Sequence, residues 1–368
     1  MSPVVFQTFR RIDWLLLVAT ILLIFIGLIA LASVTVAKAP PEWKTFLHQL
    51  AYLGLGLILA LGAITVDYRV LRGYSTHAYI LAVLLLVGVL FFGTTIRSTT
   101  GWFIIGGVSF QPVEVAKLLW ILAFSAYLAR YARAFDQWRH LAISGAFMVV
   151  LVALVLRQPD LGSAVVIIVI YLGLLLLANV RPKQLAILFL ILISAGVLSY
   201  FFILQDYQKD RIRVLFQPNA DPLGRGYNVT QSIIAIGSGN LFGRGFGQGT
   251  QSQLNFLPEQ QTDFIFSVFA EEFGFLGSAI LLAAYILMLV RTALIARQAR
   301  EDFGAFLAAG IGIWLVAQLF INVGMNMGLL PVAGIPLPLV SAGGSSLVAT
   351  LIGLGLVQSI ALRSRLTV

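Results

Sequence analysis

Residues 14–36 read WLLLVATILLIFIGLIALASVTV and contain no charged side chain. A helix needs roughly 20 mostly apolar residues to cross the hydrocarbon core of a bilayer, and this stretch is long enough. Arg10 and Arg11 precede it, as basic residues precede the apolar part of a signal peptide, but the run is longer than a signal peptide needs and further apolar runs follow. We therefore interpret it as a retained signal anchor that forms the first membrane span.

Comparable apolar stretches recur along the whole chain. Ten candidate spans lie near 14–36, 46–66, 76–93, 113–130, 140–157, 161–179, 184–204, 264–290, 304–327 and 345–362. The pattern predicts an all-α integral membrane protein with ten transmembrane helices. It forms one polytopic membrane domain over residues 1–368, and its long loop, 205–263, joins the seventh span to the eighth.

The composition excludes several other classes of protein. Of the 368 residues, 60% are hydrophobic and 11% are charged, whereas soluble domains carry about 25% charged residues. Cysteine is absent, which excludes disulfides and thiol catalysis. The three histidines, His48, His77 and His140, are far apart, so a zinc site is not expected. The net charge of +9 comes from short basic loops between spans and does not indicate nucleic-acid binding.

The basic residues concentrate in alternate loops. One set of loops carries Arg10, Arg11, Arg69, Arg72, Arg130, Arg133, Arg139, Arg181, Lys183, Arg291, Arg297, Arg300, Arg363 and Arg365. The short loops of the other set carry only Lys38, Lys44, Arg97 and Arg157. The positive-inside rule predicts that the first set and both termini are cytoplasmic and that the loop 205–263 is extracytoplasmic.

In this topology the even-numbered spans begin on the extracytoplasmic side. Spans four, six, eight and ten would therefore direct their free backbone N–H groups and the positive ends of their dipoles outward. Such helix ends bind phosphates and other anions. An anion site on that side is plausible, although any bundle of ten spans has the same arrangement.

The clearest polar signal at membrane depth is FQPVEVAKLLW (110–120). Gln111, Glu114 and Lys117 recur every three residues and so share one helix face. Charged side chains inside a membrane are costly and are usually functional. Glu114 and Lys117 would either form an internal ion pair that only stabilises the bundle or line a polar cavity that opens outward. We favour the cavity.

Two other outer turns carry polar residues. In RQPDLGSA (157–164), Asp160 is well placed to cap the sixth span or to contact a substrate. In LPLVSAGGSS (337–346), Ser345 and Ser346 follow two glycines at the start of the tenth span. They would either cap that helix, within a tight turn, or line the cavity.

The long loop contains basic residues and a glycine-rich string. Arg211 and Arg213 would bind phosphate oxygens of a substrate or of lipid headgroups. GSGNLFGRGFGQG (237–249) resembles a phosphate-binding loop, but no flanking strand and helix and no GxxxxGK motif accompany it. We expect its glycines to form turns in an amphipathic loop at the membrane surface.

Four acids stand at the end of this loop and in the span that follows. Glu259 and Asp263 lie in LPEQQTDFIF (257–266), and Asp263 is a candidate cap of the eighth span. Glu271 and Glu272 lie roughly 12 Å deeper, at about 1.5 Å per residue. Because adjacent acids cannot both face one cavity, we expect at least one to pair with a basic or hydroxyl group on another span, and Lys117 is a candidate.

These strings resemble the SEDS family (shape, elongation, division and sporulation) over nearly the whole chain. The resemblance rests on FQPVEVAK (110–117), QPDLGSA (158–164), the stretch 218–277 and GLLPVAGIPLPLVSAGGSSL (328–347). GIPLPL (334–339) is closer to the elongation branch than to the division paralogue, which tends to read GLTLPF. Three positions depart from the family pattern: Gly101 for arginine, Val113 for serine and Ala342 for tyrosine.

The resemblance implies a peptidoglycan glycosyltransferase that polymerises lipid II, an undecaprenyl-diphosphate-linked disaccharide peptide, into β-1,4 glycan strands during cell elongation. It implies a class B penicillin-binding protein, a transpeptidase, as partner, together with other membrane proteins of the elongation complex. It assigns the essential acid to Asp263 and cavity residues to Glu114 and Lys117. The missing arginine at Gly101 weakens any role of that loop in holding phosphate.

The implied chemistry is inversion by a single displacement. Asp263 would be the base, and Lys117, Arg211, Arg213 and the outward helix ends would hold the leaving diphosphate, with Mg²⁺ or another divalent cation as a further candidate. Glu114 would orient Lys117 or help to bind the metal. Glu259 would support the loop, and Glu271 and Glu272 would be structural ion-pair partners. The alternatives are a lipid II flippase, a membrane scaffold for the transpeptidase, or the division paralogue.

Overall fold

The computed structural model describes residues 12–36, 41–96, 99–105, 108–131, 134–135, 137–178, 180–202, 204–216, 225–254 and 256–364. Several basic residues used for the predicted sidedness lie outside the described residues, namely Arg10, Arg11, Lys38, Arg97, Arg133 and Arg365.

The described residues form helices α1 to α14. Their bounds are α1 Trp14–Val36, α2 Lys44–Thr65, α3 Tyr68–Gly73, α4 Ser75–Phe92, α5 Pro112–Tyr131, α6 Trp138–Arg157, α7 Leu161–Leu177, α8 Pro182–Phe202, α9 Asp206–Phe216, α10 Arg225–Ser238, α11 Thr250–Gln253, α12 Ile265–Gln298, α13 Asp302–Asn326 and α14 Gly344–Ser364. Among the described residues, nine helices are long and apolar enough to cross a membrane, and α7 is a shorter apolar helix of 17 residues. The predicted helical membrane architecture is confirmed, and each predicted span has a helix at its position.

The centre of the bundle is the last helix, α14, which is buried along 89% of its most apolar stretch. It packs most extensively against α2. Small residues permit this close approach, as is common between membrane helices. A Cβ atom at Gly355 would lie only 2.7 Å from the carbonyl oxygen of Ala60. A larger residue at 355 would therefore force the two helices apart.

Helix α8 packs only loosely against the bundle, through partly buried leucines such as Leu185, Leu188 and Leu192. None of its most apolar stretch is buried, and Gln184 is the only residue of the helix that is buried. Its apolar side chains therefore leave the neighbouring surface of the bundle uncovered, a feature that the sequence did not reveal.

The prediction of an all-α protein was wrong in one place. Three short strands, β1 Thr94–Ile96, β2 Thr99–Ile105 and β3 Val108–Phe110, form an antiparallel sheet between α4 and α5. Thr95 pairs with Thr100, and Phe103 pairs with Phe110. The segment is rich in threonine, isoleucine and phenylalanine, and these β-branched and aromatic side chains favour strands.

The described residues of the loop 205–263 include helices α9, α10 and α11, and the loop is followed by α12. Helix α12 is interrupted at Gly274, whose φ of 66° and ψ of −163° are not helical. The glycine-rich part of the loop packs into this interruption, as its hydrogen bonds show: Phe275 N donates to Asn240 O at 2.8 Å, and Arg244 N donates to Glu271 O at 3.0 Å.

Candidate active site

A polar cleft of about 750 Å³ opens at one end of the bundle, where the loop 205–263 meets the starts of several helices. Its hydroxyl, amide and charged side chains are Thr99, Gln111, Asp160, Arg211, Thr262, Asp263, Ser345 and Ser346. All of them except Thr99 and Thr262 were proposed from the sequence as site residues. The fold therefore brings together candidates that lie more than two hundred residues apart in the chain.

Four helix N-termini converge on this cleft. Gln111 directly precedes α5, Asp160 directly precedes α7, Asp263 lies just before α12, and Ser345 lies in the first turn of α14. The sequence predicted that these four helix ends lie on one side of the membrane, and the structure brings them to one cleft. Their free N–H groups and dipoles make the cleft favourable for a negatively charged group.

Asp263 and Arg211 approach the same point of the cleft wall, at Gly334. A Cβ atom at Gly334 would lie 3.8 Å from Asp263 Oδ2 and 4.0 Å from Arg211 Nη1. Gly334 has a φ of 70°, which glycine adopts without strain. Arg211 Nε is buried and has no hydrogen-bond partner among the described residues. The cleft therefore presents a carboxylate and a guanidinium group close to the backbone of Gly334, which has no side chain to separate them.

The backbone of Asp263 is held by two asparagines of α13 that sequence reasoning missed. Its carbonyl oxygen accepts hydrogen bonds from Asn322 Nδ2 at 3.1 Å and from Asn326 Nδ2 at 2.9 Å. Asn326 Oδ1 accepts from Ser267 Oγ at 2.5 Å, and Asn322 Nδ2 also donates to Ile335 O at 2.8 Å. Both asparagines are fully buried. Their spacing of four residues within a membrane helix was the one sequence signal that could have indicated them.

Replacing Asn326 by alanine is expected to loosen the start of α12. The carbonyl of Asp263 would lose one donor, and Ser267 would lose its acceptor, and an unsatisfied buried polar group costs about 1–3 kcal/mol. We expect a lower unfolding midpoint and faster hydrogen exchange of the amides in 259–268. The exposed Gln248→Ala variant is the control and should change neither quantity. Unchanged exchange in Asn326→Ala would show that Asn326 does not hold this segment.

The remaining polar residues of the cleft are tied to helix starts. Asp160 Oδ1 accepts a hydrogen bond from Ser163 N at 2.9 Å, so Asp160 does cap α7 while also lining the cleft. Ser345 Oγ accepts from Gln111 N at 2.8 Å and joins the start of α14 to that of α5. Ser346 Oγ is buried without a hydrogen-bond partner among the described residues.

Glu114 and Lys117 do not line the described wall of the cleft; they are buried in the bundle. Lys117 Nζ and Glu114 Oε1 form an ion pair at 2.8 Å, with side-chain exposures of 0% and 2%. Gln318 Nε2 donates to Glu114 Oε2 at 3.5 Å, and Lys117 Nζ lies 5.8 Å from the centre of the Trp314 ring. The internal ion pair, the alternative that we did not favour, is the arrangement observed.

Arg213 does not reach the cleft. Its side chain is 60% exposed and pairs with Asp210 at 3.2 Å. Arg211 and Arg213 lie two residues apart on α9, and residues at this spacing point to different sides of a helix. Of the two arginines, only Arg211 can therefore contact a group in the cleft.

The other acids bind the loop rather than cations. Glu259 O accepts from Asp263 N at 3.1 Å, and its carboxylate accepts from Thr262 Oγ1 at 3.3 Å. Glu271 Oε1 accepts from Gln251 N at 2.9 Å, and Glu272 accepts from Ser33 Oγ. No lysine or arginine in the described part of the chain pairs with Glu271 or Glu272. The expected ion pairs, including one with Lys117, are therefore not formed, but the expected pairing of at least one acid with a basic or hydroxyl group on another span is confirmed by the hydroxyl of Ser33 in α1. Glu271 is satisfied by donors of the loop instead.

Comparison with known proteins matches residues 13–366 to the family model named for FtsW, RodA and SpoVE and described as cell cycle protein. Peptidoglycan glycosyltransferase MrdB of Escherichia coli K12 is 37% identical over 342 residues, which cover 93% of this chain and 92% of that protein. A probable peptidoglycan glycosyltransferase FtsW of Coxiella burnetii is 36% identical over 359 residues, covering 95% of this chain and 96% of the relative.

Two solved structures share the fold. One comes from a study of the structural coordination of polymerization and crosslinking by a peptidoglycan synthase complex, with a TM-score of 0.82, 31% identity and coverage of 97% of this chain and 99% of the other. The second is the rod shape determining protein RodA of Thermus thermophilus, with a TM-score of 0.72, 31% identity and coverage of 97% and 98%. The chain therefore belongs to the SEDS family of cell cycle proteins, which includes FtsW, RodA and SpoVE.

Proposed function

We propose that this protein is a peptidoglycan glycosyltransferase of the RodA type, which polymerises lipid II into β-1,4 glycan strands during cell elongation and so maintains cell shape. The observation that carries the proposal is the cleft itself. It combines a carboxylate, Asp263, with a guanidinium group, Arg211, and with four helix N-termini. A base, a cation and an anion-binding surface are the groups that transfer from a sugar diphosphate requires.

The reaction is a single displacement with inversion. The hydroxyl oxygen of the acceptor sugar attacks the anomeric carbon of the donor, and its proton passes to the Asp263 carboxylate. The bond from the anomeric carbon to the diphosphate oxygen breaks, and the diphosphate leaves with the bonding electrons. Arg211 and the helix N-termini stabilise the negative charge that develops on it. The α-linked donor thus becomes a β-linked product.

An apolar groove next to the cleft supports a polyprenyl substrate. It spans about 700 Å³, part of which is open to the surroundings, and is lined by Leu161, Gly162, Val165, Leu204, Ile321 and the turn 330–333, with Arg211 at its junction with the cleft. We place the entrance of the groove beside α8, none of whose most apolar stretch is buried. The prenyl chain would lie in the groove while its diphosphate reaches Arg211.

The residues of the cleft also fit a divalent cation in one specific way. Among the described residues there is no group of three or more metal-ligating side chains. Mg²⁺, however, is usually bound by one or two carboxylates together with substrate phosphates, and Asp160 and Asp263 both line the cleft. Asp160 would hold the ion together with the substrate phosphates, and the ion would neutralise charge on the diphosphate while Asp263 stays available as the base. Glu114 does not fit this role, because Lys117 and Gln318 occupy its two oxygens.

The cellular setting follows from the same proposal. The active site faces the outside of the bacterial cytoplasmic membrane. The positive-inside rule assigns the basic loops to the cytoplasmic side, and the cleft is built from helix ends and a loop on the other side. The protein works with a class B penicillin-binding protein and with other membrane proteins of the elongation complex. The similarity to a chain of a complex that coordinates polymerization and crosslinking supports a transpeptidase partner.

A polymerisation assay tests the proposal directly. Purified protein in detergent, given fluorescent lipid II, should yield a ladder of glycan polymers on a gel. A flippase would instead move lipid II across vesicles without forming polymer, and a scaffold would do neither. Rescue of rod shape, rather than of division, in cells depleted of one or the other enzyme separates the elongation role from that of the FtsW paralogue. Absence of polymer, with the transpeptidase present as well, would overturn the proposal.

A further inference from the structure

The glycine-rich segment 239–247 completes an interrupted turn of α12. In a continuous helix, Phe275 N and Leu276 N would donate to the carbonyls of Glu271 and Glu272. Here they donate to Asn240 O at 2.8 Å and Leu241 O at 3.1 Å, while the two vacated carbonyls accept from Arg244 N and Gly245 N, both at 3.0 Å. The segment is thus inserted into the hydrogen-bond ladder of the helix.

Only glycine permits this insertion. Gly243 has a φ of 81°, and a Cβ atom there would lie 2.1 Å from Glu272 O. Gly274, on the helix side, has a φ of 66°, and its Cβ would lie 2.3 Å from Gly243 N. Gly239 and Gly243 therefore serve backbone packing against α12, and the larger side chains of the segment point outward.

The outward side chains are large, apolar and exposed. Leu241, Phe242 and Phe246 are 59%, 79% and 48% exposed, and Phe275 on the adjoining part of α12 is 65% exposed. Arg244 lies among them, and its exposed side chain forms no hydrogen bond or ion pair with the described residues. Apolar rings with a free cation between them match the interface of a phospholipid bilayer, where acyl chains meet phosphates.

The position of the segment along the bundle agrees with this. Arg291 of α12 forms an ion pair with Asp13 at the start of α1. Near the other end of α1, Ser33 contacts both Glu272 and Gly247. Ser33 follows Asp13 by about 20 residues, or roughly 30 Å of helix, which is about the thickness of the hydrocarbon core. If the ion pair marks one edge of that core, the segment lies at the other.

We propose that residues 241–246 form a lipid anchor, with Leu241, Phe242 and Phe246 in the acyl region and Arg244 on the phosphate of a headgroup. The anchor is linked to the catalytic loop. Glu271, beside the inserted turn, accepts from Gln251 N and Ser252 N of α11, and α11 leads along 254–263 to the cleft. The anchor therefore holds this loop at a constant height above the bilayer.

The absence of cysteine makes a site-specific test straightforward. Phe242→Cys and Leu241→Cys, each carrying an environment-sensitive fluorophore, would be reconstituted without any partner protein into vesicles that contain brominated phospholipids. Phe189→Cys on the exposed face of α8 is the membrane reference, and Glu301→Cys in the loop before α13 is the aqueous reference. We expect quenching at 242 and 241 to approach that at 189 and to exceed that at 301 several-fold.

Two outcomes would overturn the anchor. Labels at both 241 and 242 that behave like the label at 301 would show that the segment is in water. Shielding that arises only when a transpeptidase is added would show that this surface binds a protein instead. As a second measurement, Arg244→Gln is combined with the label at 242. This change should reduce the difference in quenching between anionic and neutral vesicles, and an unchanged difference would show that Arg244 does not contact a headgroup. None of these readouts depends on glycan polymerisation, so they are independent of the proposed activity.

Discussion

Replacing Asp263 by asparagine is expected to abolish glycan polymerisation while the protein remains folded and still binds lipid II. The amide has nearly the same shape as the carboxylate but cannot accept the proton of the acceptor hydroxyl. A positioned general base contributes about 10²- to 10⁴-fold to the rate, and we expect a loss of that order. The bonds from Asn322 and Asn326 reach the backbone carbonyl of Asp263, so the substitution leaves them in place.

Three measurements on one preparation distinguish a loss of catalysis from a loss of substrate binding or of folding. Polymer would be followed on a gel, lipid II binding by a fluorescence titration, and folding by the unfolding midpoint. Glu259→Gln is the matched control, because this acid of the same loop does not line the cleft and should retain polymerisation. Polymer formation by Asp263→Asn at a rate near that of the wild type would exclude Asp263 as the base.

Replacing Lys117 by methionine is expected to destabilise the bundle more than any other change outside the cleft. The substitution leaves Glu114 buried and without its cation, and removal of one partner of a buried pair costs about 3–5 kcal/mol. The double variant Glu114→Gln/Lys117→Met should regain most of this loss, because it leaves no unpaired charge. The unfolding midpoint in denaturant, with its slope, measures both effects.

A surface pair in the same chain provides the control. Arg213 and Asp210 have the same spacing as Lys117 and Glu114 but are largely exposed, so Arg213→Gln should leave the midpoint unchanged. Equal destabilisation by Lys117→Met and by the double variant would contradict the ion-pair account. A double variant that regains stability but remains unable to polymerise lipid II would show that the pair acts in the reaction as well as in the fold.

Much of the site could be predicted from local sequence because its residues stand at helix starts. Gln111, Asp160, Asp263 and Ser345 each mark the beginning of an apolar run, and alternation of the runs sends those beginnings to the same side. Capping chemistry and the length of a membrane span are local properties, so they can be recognised in the chain itself. Asp160 does cap α7, whereas the N-cap residue of α12 is Phe264 and not the candidate Asp263.

Other residues were misjudged because their partners are distant in the chain. For Glu271 and Glu272 a basic or hydroxyl partner was expected; Glu272 does meet the hydroxyl of Ser33, but the cation proposed from the sequence, Lys117, is not a partner, and Glu271 accepts from N–H groups of the loop. Asn322 and Asn326 drew no attention, although they hold the backbone of Asp263. No local pattern specifies which loop folds back onto which helix, so such contacts cannot be predicted from the sequence and are seen only in the tertiary structure.

The sequence by itself therefore determined the membrane class, the helical character of the apolar runs and the family, and it singled out the acid at the end of the long loop as a candidate. These follow from hydropathy, span length and motifs, each of which is written in consecutive residues. Only the tertiary structure decided that Lys117 is buried against Glu114, that Arg211 and not Arg213 reaches the cleft, and that a glycine-rich segment completes α12. These contacts depend on side-chain direction and on backbone groups that lie far apart in the chain. Burial can favour one set of contacts over another only once the helices have packed.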